Sequence, residues 1–155
     1  AAAQDAPEMP PIDQSKYETV NDIKVLQDWV DRAVARGTVA FDTETTSLDS
    51  IHADLVGVSL AIAPNEACYI PLAHGSDDMF AQKPQMVPIN EALAALKPLL
   101  EDEAVLKVFH NGKYDCNVLG YHFFIHILIT LIIILYLVNI LYIYNILTYY
   151  NKKRH

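Results

Sequence analysis

The feature that most constrains this chain is a break in composition after residue 120. Ala occurs 17 times up to that point and never beyond it. Gly, Pro, Ser, Asp and Glu are likewise absent from Tyr121 to His155, where the residues are almost wholly Ile, Leu, Tyr, Phe, Asn, His, Thr and Lys. Two segments so unlike do not read as one evolutionary unit. The fold is therefore to be sought in the first part, which has room for one domain and can bury a core without disulfide or metal staples. No internal repeat is visible.

Charge follows the same division. All 19 acidic residues lie at or before Asp115 against eight bases, a formal −11, while Lys152, Lys153 and Arg154 give the remainder +3. An acidic body argues against sequence-blind adhesion to nucleic acid through a broad basic face. It leaves room for a small acidic site that meets a phosphate through bound cations. Cys68 and Cys116 read as two free thiols in a reducing cytosol rather than a disulfide framework. Residues 1–16, rich in Ala and Pro and without apolar periodicity, read as a disordered linker with no secretory signal.

From Tyr17 the order of elements is legible. Asn21 is a candidate cap for a helix with the apolar stripe Ile23, Leu26, Val30, Ala33 and Val34, ended by Gly37. Three β-rich runs follow, Thr38 to Asp42, Leu55 to Ala61 and Ala67 to Ile70, in a potential antiparallel meander. Asn90 is a candidate cap for a helix with Leu93, Leu96, Leu99 and Leu100 on one face. Val105 to Phe109 reads as a fourth strand, and Asn111 opens a helix with Tyr114, Val118 and Leu119. Strands followed by alternating helix and strand predict a layered α/β domain, an order that suits an RNase H-like mixed sheet flanked by helices.

Chemistry enters at Asp42-Thr43-Glu44-Thr45. Carboxylates at i and i+2 near a strand end project to the same side of the sheet. Held that close they repel, and a hard divalent cation with oxygen ligands relieves the repulsion. Such acids can serve two metals flanking a scissile phosphate, one generating the attacking hydroxide and the other stabilising the leaving oxygen. Solvated turn residues are the plainer reading of an isolated Asp-x-Glu.

The context of that pair carries a resemblance. Val39 to Leu48, VAFDTETTSL, is similar to the first motif of the proofreading 3′→5′ exonuclease domain in bacterial family A DNA polymerases, of the DEDD group in the RNase H-like superfamily. The likeness continues through Leu55 to Ala61, Tyr69 to His74 and Leu96 to Asp102. It ends at Lys107 to Asp115, KVFHNGKYD, which resembles the second motif. The resemblance implies hydrolysis of the terminal phosphodiester at the 3′ end of single-stranded DNA with two Mg²⁺ or Mn²⁺ ions. Asp42 would bridge the metals, Glu44 would bind one and the terminal hydroxyl, and Asp115 would hold the second, through water. Leu48 resembles an apolar wedge between the last two bases, and Asn111 and Tyr114 resemble residues that position the strand. The structural alternatives are Leu48 in the core, Tyr114 as a buried helix residue and Asn111 as a helix cap. His74 and His110 read as ordinary polar residues, and Cys116 as a small buried one.

The family's third motif, Tyr-x-x-x-Asp, has no counterpart, because no Asp or Glu follows Asp115. The expectation is a partial exonuclease domain over residues 17–120, truncated, weak or inert as it stands, followed by an apolar tail. Phe123 to Tyr142 approaches the length of a membrane helix, with His126, Thr130 and Asn139 interrupting it and a basic cluster beyond. That segment reads as an artefactual continuation, a membrane anchor or a core element. The alternatives to a DNA exonuclease are an inert remnant that binds metal or a DNA end, a membrane-anchored binding module, and an RNA-trimming exonuclease of the same superfamily. A cytoplasmic location follows from the family reading, membrane-associated if the tail is genuine.

Overall fold

The computed structural model describes residues 11–73 and 85–123. Five strands form one mixed sheet: β1 (Glu18–Thr19), β2 (Thr38–Thr45), β3 (Leu55–Ala63), β4 (Glu66–Pro71) and β5 (Leu106–Val108), in spatial order β1-β4-β3-β2-β5. The β2, β3 and β4 strands make the expected antiparallel meander, with Asp42 opposite Ser59 and Ser59 opposite Tyr69. Parallel strands close it on both sides, β1 against β4 and β5 against β2. The β2 strand runs three residues past its expected end, which brings the whole Asp-Thr-Glu-Thr run into the ladder.

Three helices accompany the sheet: α1 (Ile23–Arg36), α2 (Ile89–Glu101) and α3 (Gly112–Phe123). Asp22, rather than Asn21, caps α1 by accepting from the Lys24 N–H at 2.7 Å. Gly37 ends it in the left-handed conformation at φ 71°, where a side chain would be strained. Leu26, Val30 and Ala33 are buried as the stripe requires, but Trp29 is buried as well and Val34 is exposed. The Trp29 indole N–H reaches Glu18 on β1, and the Arg32 guanidinium stacks on its ring. The α2 helix begins at Ile89 behind Pro88, so Asn90 lies inside the helix and is not its cap.

The alternation along β2 divides the core. Val39 and Phe41 join one large cluster with Val58, Leu60, Cys68 and Ile70 and with buried residues of all three helices. Ala40 belongs to a smaller cluster with Ala61, Ala67 and Tyr17. Phe41, Leu60, Leu96 and Leu119 are each fully buried, a gain of about 1.5–3 kcal/mol apiece over exposure.

The N-terminal arm differs from its linker expectation over Pro11 to Lys16. Asn65 in the β3–β4 turn accepts from the Asp13 N–H and donates to the Pro11 carbonyl, and Gln14–Lys16 forms a single 3₁₀ turn. A polar stretch is held here by a single residue more than 50 positions away. The first three residues of the apolar tail expected from Tyr121 continue α3 to Phe123, and the rest of that tail, with His74, lies outside the described residues. Among the described residues no helix is long and apolar enough to cross a membrane.

Candidate active site

The end of β2 and the start of α3 meet over one open groove. Its lining runs from Asp42 through Leu48 on one side and takes in His110, Asn111, Tyr114 and Asp115 on the other, around a volume of about 600 Å³. All six residues singled out in the sequence, Asp42, Glu44, Leu48, Asn111, Tyr114 and Asp115, lie on it.

Strand alternation sets the first pair. Val39, Phe41 and Thr43 are buried, and Asp42 and Glu44, half-buried, share the opposite face with Ala40. The ladder shifts register between Glu44 and Thr45, a local irregularity at the point where the strand leaves the sheet. Opposite Glu44 stands Gly57, over which the Tyr69 ring lies so closely that a β-carbon would fall 2.0 Å from its hydroxyl oxygen.

The second motif arrives through a tight turn. Phe109 packs on Phe41 with ring centroids 5.8 Å apart. Asn111 then adopts φ 62°, and a β-carbon on Gly112 would meet Phe109 at 2.7 Å. Asn111 therefore precedes α3 as expected but is left-handed, not in the extended conformation typical of a capping residue. Its carbonyl accepts from the Tyr114 N–H at 2.9 Å. Asn111, rarely strained as a left-handed residue, suits this position.

That turn carries Asp115 into the interior, where it is 2 % exposed. Thr43 meets it with two donors: the backbone N–H at 2.9 Å and the hydroxyl at 2.7 Å, both to Oδ1. Burial pushes the Asp115 carboxyl up, against the opposing pull of the Thr43 hydrogen bonds and the nearby His110. Asp42 is pushed up to about 7, first by burial and then by the negative charges of Asp115 and Glu44. The three acids thus share one electrostatic environment. Sequence reasoning passed over Thr43 and Thr45, although a residue between two site acids on a strand must face the other way, toward whatever packs there.

The Thr46–Asp54 loop lines the groove with its first three residues, Thr46 to Leu48. Its neck is closed by Thr46 N–H to the Asp54 carbonyl at 3.0 Å and Asp54 N–H to the Thr46 hydroxyl at 2.9 Å. Asp49 stitches the interior, accepting from Ile51 N–H and contacting His52 Nδ1 at 2.8 Å. The Tyr114 hydroxyl, at the groove wall, bonds both the Thr45 hydroxyl and the Ser47 carbonyl. Leu48 on this loop is 97 % exposed, which removes the alternative that it belongs to the core.

A divalent cation fits the chemistry of this donor set, since carboxylate oxygens are hard and their mutual repulsion is what a cation relieves. Among the described residues no group of three or more His, Cys, Asp or Glu side chains is arranged to hold an ion by itself. Mg²⁺ commonly takes only one or two carboxylates and fills its remaining positions with water and substrate phosphate, so the two findings are compatible.

Comparison with known proteins agrees with this architecture. The family described as 3′-5′ exonuclease, of the DNA polymerase A type, matches residues 17–142, a stretch that enters the apolar segment beyond residue 120. DNA polymerase I of Rhizobium leguminosarum is 48% identical over 118 residues, covering 68% of this chain and 12% of that protein. DNA polymerase I of Pseudomonas aeruginosa is 43% identical over 104 residues, covering 67% and 11%. The chain therefore spans a small fraction of the length of these relatives. Among solved structures, RNase D of Trypanosoma brucei aligns with a TM-score of 0.55 at 15% identity, over 70% of this chain and 34% of that one. Escherichia coli RNase D, an exoribonuclease involved in structured RNA processing, aligns at 0.50 and 20% identity over 69% and 24%. At such identities the likeness is one of fold, and the fold is RNase H-like. The chain belongs to the 3′-5′ exonuclease family of DNA polymerase A.

Proposed function

We propose that residues 17–120 are the front part of a proofreading exonuclease domain that takes the 3′ end of single-stranded DNA into the β2–α3 groove. The observation that carries this reading is the gathering of Asp42, Glu44 and Asp115 with Leu48, Asn111 and Tyr114 on that one groove. In this reading Asp42, Glu44 and Asp115 hold two Mg²⁺ or Mn²⁺ ions, and Glu44 also receives the terminal 3′ hydroxyl. Such ions, when bound, supply an activated water and stabilise the leaving oxygen. Leu48, projecting from a loop held at its neck and by Tyr114, enters between the last two bases, and Asn111 and Tyr114 orient the strand.

The 155-residue chain holds these parts without a further carboxylate, since no Asp or Glu follows Asp115. It binds cations weakly and, alone, does not cut. The test is calorimetric titration of the chain with Mn²⁺. Weak binding that disappears in the Asp42→Ala, Glu44→Ala double variant supports the site, and an affinity unchanged in that variant removes it.

A further inference from the structure

We infer that Thr43, the residue between the two motif-one acids, is a positioning residue that sets which oxygen of Asp115 is offered to a cation. The inference rests on the carboxylate site proposed above and deepens it. Thr43 is 8 % exposed and Asp115 2 %, and they meet across 72 positions of sequence. Two hydrogen bonds from one residue, from its backbone N–H and its hydroxyl, converge on a single oxygen, Oδ1. Oδ1 is thereby committed to the protein, which leaves Oδ2 as the oxygen for a cation in the groove that Asp115 lines.

The arrangement follows from strand geometry. Asp42 and Glu44 look to one side of β2, and Thr43 looks to the other, where Val39 and Phe41 join the core shared with α3. A β-branched residue is stiff at χ1, so its hydroxyl is held in register with its own N–H. The third acid is thus oriented by the same strand that supplies the first two. The backbone donor fixes the distance between β2 and α3 for any residue at position 43. The hydroxyl adds the second contact that stops the carboxylate from rotating. Partners that orient a metal ligand typically contribute 10–100-fold to metal affinity.

The experiment is Mn²⁺ titration of the 155-residue chain carrying Thr43→Val, Thr43→Ser or Asp42→Asn, with urea unfolding of each in parallel. Thr43→Val keeps the branched shape and removes only the hydroxyl; the expected result is a loss of about tenfold in Mn²⁺ affinity, with Thr43→Ser retaining the affinity of the parent. The loss vanishes when Asp115→Asn is already present, because Thr43 acts through that side chain. If Thr43→Val does not fold, Thr43→Ala removes the same hydroxyl and carries the same comparison. An unchanged affinity in the hydroxyl-less variant, with Asp42→Asn still weakening binding, overturns the role of Thr43 and leaves the site intact. If Asp42→Asn also has no effect, the carboxylate site itself fails, and this role with it.

Discussion

Tyr114 on α3 is tied through its hydroxyl to the Thr45 hydroxyl at the end of β2 and to the Ser47 carbonyl beyond it. One phenol thus joins the helix of the second motif to the loop that carries Leu48. Tyr114→Phe removes both bonds while keeping the ring. The expected cost is about 1–2 kcal/mol in urea unfolding, with faster amide exchange in the Thr46–Asp54 loop. Unaltered exchange there would mean that the neck contacts of Thr46 and Asp54 hold the loop without Tyr114.

Leu48 makes the opposite prediction. At 97 % exposure it contributes nothing to the core, so Leu48→Ala changes the unfolding free energy by less than about 0.5 kcal/mol. If the side chain enters a base step, its loss weakens binding of a single-stranded oligonucleotide by about tenfold, the equivalent of one buried Leu. Equal affinity of variant and parent, read by fluorescence anisotropy, would count against the wedge.

Asp42 ties the site to pH. Its carboxyl is pushed up to about 7 from an ordinary value of 3.8. Between those values the folded state holds a proton that the unfolded state has released. The stabilising contribution is therefore complete below the ordinary value and is lost as pH rises through the folded one. Asp42→Asn mimics the protonated form. It is expected to be near neutral for stability at about pH 4 and stabilising by on the order of 2 kcal/mol at about pH 8, without divalent ions. Millimolar Mn²⁺ narrows the difference. A variant less stable than the parent at both pH values would show that burial and the neighbouring acids do not disfavour the charged carboxylate.

Gly57 is the place where the sheet under Glu44 admits no side chain. A β-carbon there falls 2.0 Å from the Tyr69 hydroxyl oxygen and 2.5 Å from the ring carbon bearing it. Gly57→Ala has to displace the ring, at an expected cost of about 1–3 kcal/mol in thermal or urea unfolding. A variant as stable as the parent would mean that Tyr69 moves aside freely.

Much of this was legible in the sequence, for reasons that differ from residue to residue. The meander was readable because its three strands are close in sequence and rich in β-branched and aromatic residues. Gly37 ended α1 as expected because few residues other than Gly suit its left-handed backbone. The β1 strand was not readable: two residues carry no pattern, and their pairing with Cys68 and Tyr69 depends on the tertiary fold. Helix starts slipped by one residue at Asn21 and by two at Asn90, where Asp22 and Pro88 hold the boundary. The six site residues came from motifs and converge on one groove. The exposure of Leu48 and the grip of Thr43 on Asp115 did not come from motifs. Both depend on how α3 and the Thr46–Asp54 loop pack against β2, which local spacing does not encode.

The proposed 3′→5′ exonuclease site needs one more acidic ligand, and no Asp or Glu follows Asp115 in these 155 residues. Removing a single well-placed electrostatic stabiliser typically costs on the order of 10² to 10³ in rate. The decisive measurement is digestion of a 3′-labelled single-stranded DNA oligonucleotide with Mg²⁺ or Mn²⁺. It compares the 155-residue chain with a chimera in which the C-terminal part of a relative's exonuclease domain, with its Tyr-x-x-x-Asp motif, follows Leu119. The expected result is no digestion by the chain and digestion by the chimera that is lost with Asp42→Ala or Asp115→Ala. Robust digestion by the unaltered chain that Asp42→Ala abolishes would contradict the claim, because another group would then be supplying the missing ligand.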